Sequence, residues 1–216
     1  MQPQTKEAPE HGRFPGRYLT GFAYFSLAAM FLVTWISPSV FGEEMVLHLI
    51  FVVLLEFIVI HSAPFMGSIL LSKKSVRGSV TAFFVIGAFY SIFAVVMSFA
   101  YGGLWPILAF WGLQGNKLYS YYTSPVPTER RKNQVRGMWA VTGISYLVFA
   151  FVTTLCPIPK LGIPGDIGHL TSVTGLWVDE PWRAMAFGFL YFTAIGLADI
   201  FLRRLGRRAA PDDKQT

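Results

Sequence analysis

Apolar residues fill six long stretches of this chain, and the polar residues collect between them. The stretches run Tyr18–Phe41, Met45–Leu71, Gly78–Tyr101, Leu104–Tyr122, Gly137–Cys156 and Trp182–Leu202. Each is far too long for a strand and lacks a strict two-residue alternation, so the pattern predicts helices. About 20 helical residues rise about 30 Å, which matches the hydrocarbon thickness of a bilayer. The expected fold is therefore all-α: a polytopic integral membrane bundle of six transmembrane helices. The fourth stretch is the least apolar, because Gln114, Asn116 and Lys117 occupy its second half. A re-entrant or half-buried segment is the alternative there.

Composition supports this reading. Hydrophobic residues make up 53% of the 216 and charged residues only 14%, whereas soluble domains carry about 25% charged residues. Three regions follow: a polar tail at 1–17, a six-helix membrane domain at 18–202, and a basic, polar tail at 203–216. The first apolar run has no small-residue cleavage site, so no cleavable signal is expected. Charge then orients the spans. With both termini cytoplasmic, only Lys160 and Arg183 of the 18 basic residues fall outside, while Glu43, Glu44, Asp166, Asp179 and Glu180 lie there too. Five spans would put the C-terminal arginines on the wrong face of the positive-inside pattern. The expected location is the cytoplasmic membrane of a prokaryote. Trp105, Trp177 and Trp182 then mark the outer boundary, and Tyr119, Tyr121, Tyr122 and Trp139 the inner one.

The net charge of +6 belongs to these span boundaries and implies no nucleic-acid partner. The lipid bilayer is the expected surrounding. The segment Ser124–Arg136 carries a basic cluster that suits anionic lipid headgroups, worth about 1 kcal/mol per basic residue. Between the last two spans, Pro157, Pro159 and Pro164 stop the fifth helix, and the moderately apolar part from Ile167 to Val178 is expected on the membrane surface. Small residues give the packing seams: Gly87, Ser91, Ala94 and Ser98 on the third span; Ala140, Gly143, Leu147 and Ala150 on the fifth; Ala184 and Gly188 on the sixth. A spare stripe would serve a homo-oligomer or a membrane-complex partner. The single Cys156 forms no internal disulfide.

The candidate chemistry sits inside the second span, where Glu56 and His61 interrupt the run LLEFIVIHSAPFMG. A charged side chain at mid-membrane costs about 2.5 kcal/mol or more, and even a protonated carboxyl needs a hydrogen-bond partner. Five residues separate the two, about 140° around the helix and about 7.5 Å along it, so they are not direct partners. Ala63, Pro64, Gly67 and Ser68 complete a small, polar arc between them, and Pro64 predicts a kink. Counting depth from the outer edge places Ser91, Gln114, Ser145 and Tyr146 near the level of Glu56. The expected proton relay or polar layer is Glu56, Gln114, Ser91 and Tyr146, with His61 nearer the cytoplasm.

Other chemistries fit less well. His48 and His61 are 13 residues apart, about 19.5 Å of rise, so they cannot clamp one haem together. The GISY run at Gly143–Tyr146 resembles the serine motif of rhomboid proteases, which also have six spans. The following helix contains no histidine to act as base, so the dyad is missing. Glu43–Glu44 with Phe57-x-x-x-His61 resembles CAAX-type membrane proteases. Both elements crowd into one helix region, and the arginine expected after the paired glutamates is absent. The spans hold too few ligands to assign a metal, and no residue set identifies a cofactor. The pattern leans away from an enzyme. Two readings remain: a proton-linked or small-solute transporter working through the intramembrane Glu/His layer, or a non-catalytic scaffold or assembly subunit of a membrane complex. No internal repeat marks the chain as a transporter.

Overall fold

In the computed structural model, the described residues are 16–71, 76–101, 103–123, 129–163, 165, 167–171 and 174–208. They form α1 (Gly16–Ile36), α2 (Glu44–Leu71), α3 (Val76–Tyr101), α4 (Trp105–Thr123), α5 (Glu129–Leu155), the short α6 (Leu176–Asp179) and α7 (Pro181–Arg208). No strand occurs among the described residues. Four of these helices are long and apolar enough to cross a membrane, through Glu44–Met66, Gly78–Ala100, Arg136–Leu155 and Pro181–Leu202. Helix α1 adds the shorter apolar stretch Phe22–Ile36. The chain is thus an all-helical bundle with the helices of a membrane-embedded protein.

Prolines punctuate the helices as their missing N–H dictates. Helix α1 stops at Ile36, before the expected end at Phe41, because Pro38 opens a 3-10 turn through Val40. Helix α5 ends at Leu155, two residues before Pro157. Pro181 sits at the first position of α7, where a helix has no use for that N–H. Helix α5 begins at Glu129, inside the basic segment Ser124–Arg136 and ahead of the expected start at Gly137. The run ERRKNQVR consists mostly of good helix formers, so the helix continues past the apolar stretch. The basic residues Arg130, Arg131 and Lys132 lie outside the described side chains.

Helices α2 and α7 form the centre. Helix α7 packs against α1, α5 and α2, and α2 packs against α3, α4, α5 and α7. One apolar core joins α1, α2, α5 and α7, with Phe31, Leu49, Val53, Phe187 and Tyr191 buried in it; a second joins α2, α3 and α4 around Phe51, Leu55, Ala94 and Phe110. Close approach depends on small residues, as expected where lipid removes the hydrophobic drive between helices. At Gly188 an added Cβ would lie 2.3 Å from the Phe31 ring. The α3 and α7 stripes are seams of this kind: Gly87, Ala94, Ser98, Ala184 and Gly188 are buried. The α5 stripe is not continuous, since Ala140 and Leu147 point outward. Helix α5 instead turns Tyr146 inward.

The segment after α5 folds over one end of the bundle, here termed the cap end. Trp35 Nε1 donates to the carbonyl of Pro159 at 3.0 Å, and Gly162 N–H donates to that of Trp35 at 3.1 Å. Ile163, Ile167 and Val178 are buried against the bundle, so part of the segment expected on the membrane surface also packs on protein. The apolar side chains find protein beneath them. Arg183 locks the arrangement: its Nη1 donates to the carbonyls of Thr153, Thr154 and Cys156 at 2.8, 2.9 and 3.0 Å. These are the carbonyls a helix C-terminus leaves without partners. The Nε of Arg183 donates to Glu180.

Candidate functional site

Glu56 lies near the middle of α2, and its partner comes from α7. Tyr191 Oη donates to Glu56 Oε1 at 2.8 Å. Tyr191 is fully buried, and aromatic neighbours fix its ring: it stacks on Phe187 with centroids 5.6 Å apart and meets Tyr146 edge-on at 5.5 Å. Tyr146, on α5, donates its hydroxyl to the carbonyl of Val53 at 3.1 Å. On a helix, Val53 and Ile60 lie between the azimuths of Glu56 and Phe57. Tyr146 therefore stands over the arc of α2 that starts at Glu56.

The aromatic contacts continue in both directions. Trp177 of α6 lies 5.4 Å from Phe187, and Phe187 meets Tyr146 edge-on at 4.8 Å. Phe57 lies 5.6 Å from Tyr146 and 3.9 Å from the imidazole of His61. A column of rings thus runs from the cap end, past the Glu56–Tyr191 bond, to His61. His61 is exposed, and its Nδ1 lies 2.8 Å from the carbonyl of Phe57.

The remaining residues of the expected layer stand elsewhere. Gln114 is fully buried and donates through Nε2 to Ser62 Oγ at 3.3 Å. Ser62 is about 120° around α2 from Glu56, so α4 meets α2 on a different side. Ser62 in turn donates to the carbonyl of Val59 at 3.0 Å. Gln114 Oε1 is buried without a partner. Ser91 donates to the carbonyl of Gly87 within its own helix at 2.8 Å. Glu56 and Tyr146 thus share one aromatic cluster, whereas Gln114 and Ser91 belong to the packing of α2 with α3 and α4.

Tyr191 was not among the expected residues, yet the same depth count reaches it. It lies ten positions beyond Pro181, as Glu56 lies twelve beyond Glu44, and α7 and α2 start at the same end. Arg183 was read only as an outlying charge. Among the described residues, no group of three or more His, Cys, Asp or Glu side chains could hold a metal ion. No protein-family model, curated protein or solved structure matches the chain.

Proposed function

We propose that this chain is a six-span transporter, both ends cytoplasmic, in which proton binding at Glu56 is linked to movement of a proton or small solute. The supporting observation is the Tyr191–Glu56 hydrogen bond at mid-helix. A phenol that donates to a carboxylate stabilises the ionised form, and protonation removes the charge that mid-membrane burial penalises. The two states therefore differ in how strongly α2 holds α7. Pro64 weakens α2 two turns further along, which lets one half of the helix move relative to the other. His61, on that half, faces outward and serves as the relay or gate in this reading. In this reading α1 and α4 complete the six spans, and the cap end is external. The basic segment between α4 and α5 rests on anionic lipid.

One observation favours a second reading, an assembly subunit of a membrane complex. The same Glu56–Tyr191 bond clasps the two halves of the bundle, and a static clasp needs no titration. Glu56→Gln separates the two readings, because glutamine still accepts from Tyr191 but does not ionise. The assay is acidification of vesicles with the full chain reconstituted and a pH dye inside. Transport predicts flux in the parent, loss in Glu56→Gln with normal assembly, and a strong reduction in Tyr191→Phe. A parent with no flux above empty vesicles, or an equally active Glu56→Gln protein, refutes the transport reading.

A further inference from the structure

The turn between α1 and α2 meets the first residues of the cap in one surface. A Cβ added at Gly162 would run into the carbonyl of Ile36 and come within 3.1 Å of Pro38 Cδ. With the Gly162–Trp35 hydrogen bond, this seats Leu161 beside the end of α1 and the turn Pro38–Val40. The large side chains there are apolar and open: Ile36 is 57% exposed, Val40 60%, Phe41 44% and Leu161 55%. The two hydroxyls of the turn, Ser37 and Ser39, hydrogen bond each other at 3.2 Å. Leu161 is out of place for water twice over. Its φ is 50°, in the left-handed region that glycine, asparagine and aspartate enter readily and leucine does not. The turn is closed by Ile163 N–H donating to the carbonyl of Lys160 at 3.2 Å. A turn of this kind facing water favours glycine or a short polar residue, whereas an exposed leucine there costs nothing if hydrocarbon surrounds it.

Depth places the same surface at a bilayer boundary. No charged residue occurs between Arg17 and Glu43. About 20 helical residues counted from Arg17 rise about 30 Å, the hydrocarbon thickness, and end at Ser37 and Pro38. Polar groups resume just beyond. Glu43 lies 3.7 Å from His169, and Lys160 Nζ stands 4.5 Å from the centroid of the Trp182 ring, a pairing suited to the headgroup level. We propose that Ile36, Val40, Phe41 and Leu161 form a wedge that enters the acyl-chain edge of the bilayer, with phospholipid as its partner and Lys160 among the headgroups. The wedge ties the first connecting turn and the cap to the membrane at one place. It rests on α1 crossing the bilayer, as in the reading above, and is independent of proton binding at Glu56.

The test attaches nitroxide spin labels through Val40→Cys, Phe41→Cys and Leu161→Cys, each in a full Cys156→Ser chain held in nanodiscs of phosphatidylcholine and phosphatidylglycerol. Ala29→Cys, at an exposed position in mid-α1, and Glu44→Cys, exposed at the start of α2, are the references. Collision with oxygen, which partitions into lipid, is compared with collision with a water-soluble nickel chelate. The expected result is oxygen ahead of the chelate at Ala29, Val40, Phe41 and Leu161, and the reverse at Glu44. Chelate ahead at the three wedge positions, with Ala29 in lipid, overturns the wedge alone. Chelate ahead at Ala29 overturns the crossing of α1 and the wedge with it. Little collision with either probe at the wedge means that protein covers it, which also overturns the proposal. Leu161→Asn keeps the turn, because asparagine accepts the left-handed conformation, and should raise chelate collision at Phe41→Cys. An unchanged value there refutes a shared wedge.

Discussion

Arg183 offers the most direct quantitative test of the fold. Replacing it with methionine keeps most of the stem and removes the guanidinium from the end of α5. Nη1 carries two N–H groups and serves three carbonyls, so at most two bonds are fully formed at once. Hydrogen bonds to a charged donor contribute about 1.5–3 kcal/mol each. Water reaches the carbonyls of Thr154 and Cys156, which are exposed, and replaces part of that. The side chain itself is 17% exposed, which makes Thr153 the costlier carbonyl to abandon. A net loss of about 2–3 kcal/mol follows for Arg183→Met. Glu180→Gln leaves the three carbonyl contacts in place and loses less than about 1 kcal/mol, as partly exposed ion pairs do. Reversible unfolding in mixed micelles, read by far-ultraviolet circular dichroism, measures both. Hydrogen exchange should show faster amides in the last turn of α5 and unchanged ones in α3. If Arg183→Met costs less than about 0.5 kcal/mol, the carbonyls are satisfied by water and the clamp has no energetic role.

Two further substitutions probe packing. Gly188→Ala would place a methyl 2.3 Å from the Phe31 ring, so α1 and α7 must separate; the expected loss is about 1–3 kcal/mol, seen as a lower midpoint in the same unfolding assay. Gln114→Leu removes a buried carbonyl oxygen with no partner and a long 3.3 Å bond to Ser62, while Ser62 keeps its bond to Val59. Its expected effect lies between neutral and about 1 kcal/mol stabilising, and clear destabilisation in that assay would show that Oε1 has a partner.

Hydrophobic runs were enough to place α2, α3 and α4 within two residues at either end, because a bilayer-length apolar segment has few alternatives to a helix; α7 runs six residues past the expected Leu202. Proline positions explain the early end of α1, and the helix-forming run before Gly137 explains the early start of α5. Side-chain facing was harder to read. In a soluble helix, polarity marks the outside; on α5 both faces are apolar, so the small stripe containing Leu147 gave no reliable sign of its direction. Depth counting brought Tyr146 to the level of Glu56, and extending it to the last span brings Tyr191 there as well. It could not tell which neighbour occupies which side of α2, and for that reason Gln114 was grouped with Glu56. The role of Arg183 depends on how the chain between α5 and α7 folds back, which no local pattern encodes.

Helix α7 follows in sequence every helix it touches, and α1, the first of them, packs along it through Phe31, Gly188, Phe25 and Gly196. During synthesis, α1 therefore waits through the emergence of the whole bundle before its principal neighbour exists. The acceptor for Tyr191, Glu56, likewise sits in the membrane without that phenol until the end. Such long-range closure makes the final step slow, because the α1–α7 packing and the Tyr191–Glu56 bond both wait for the last helix.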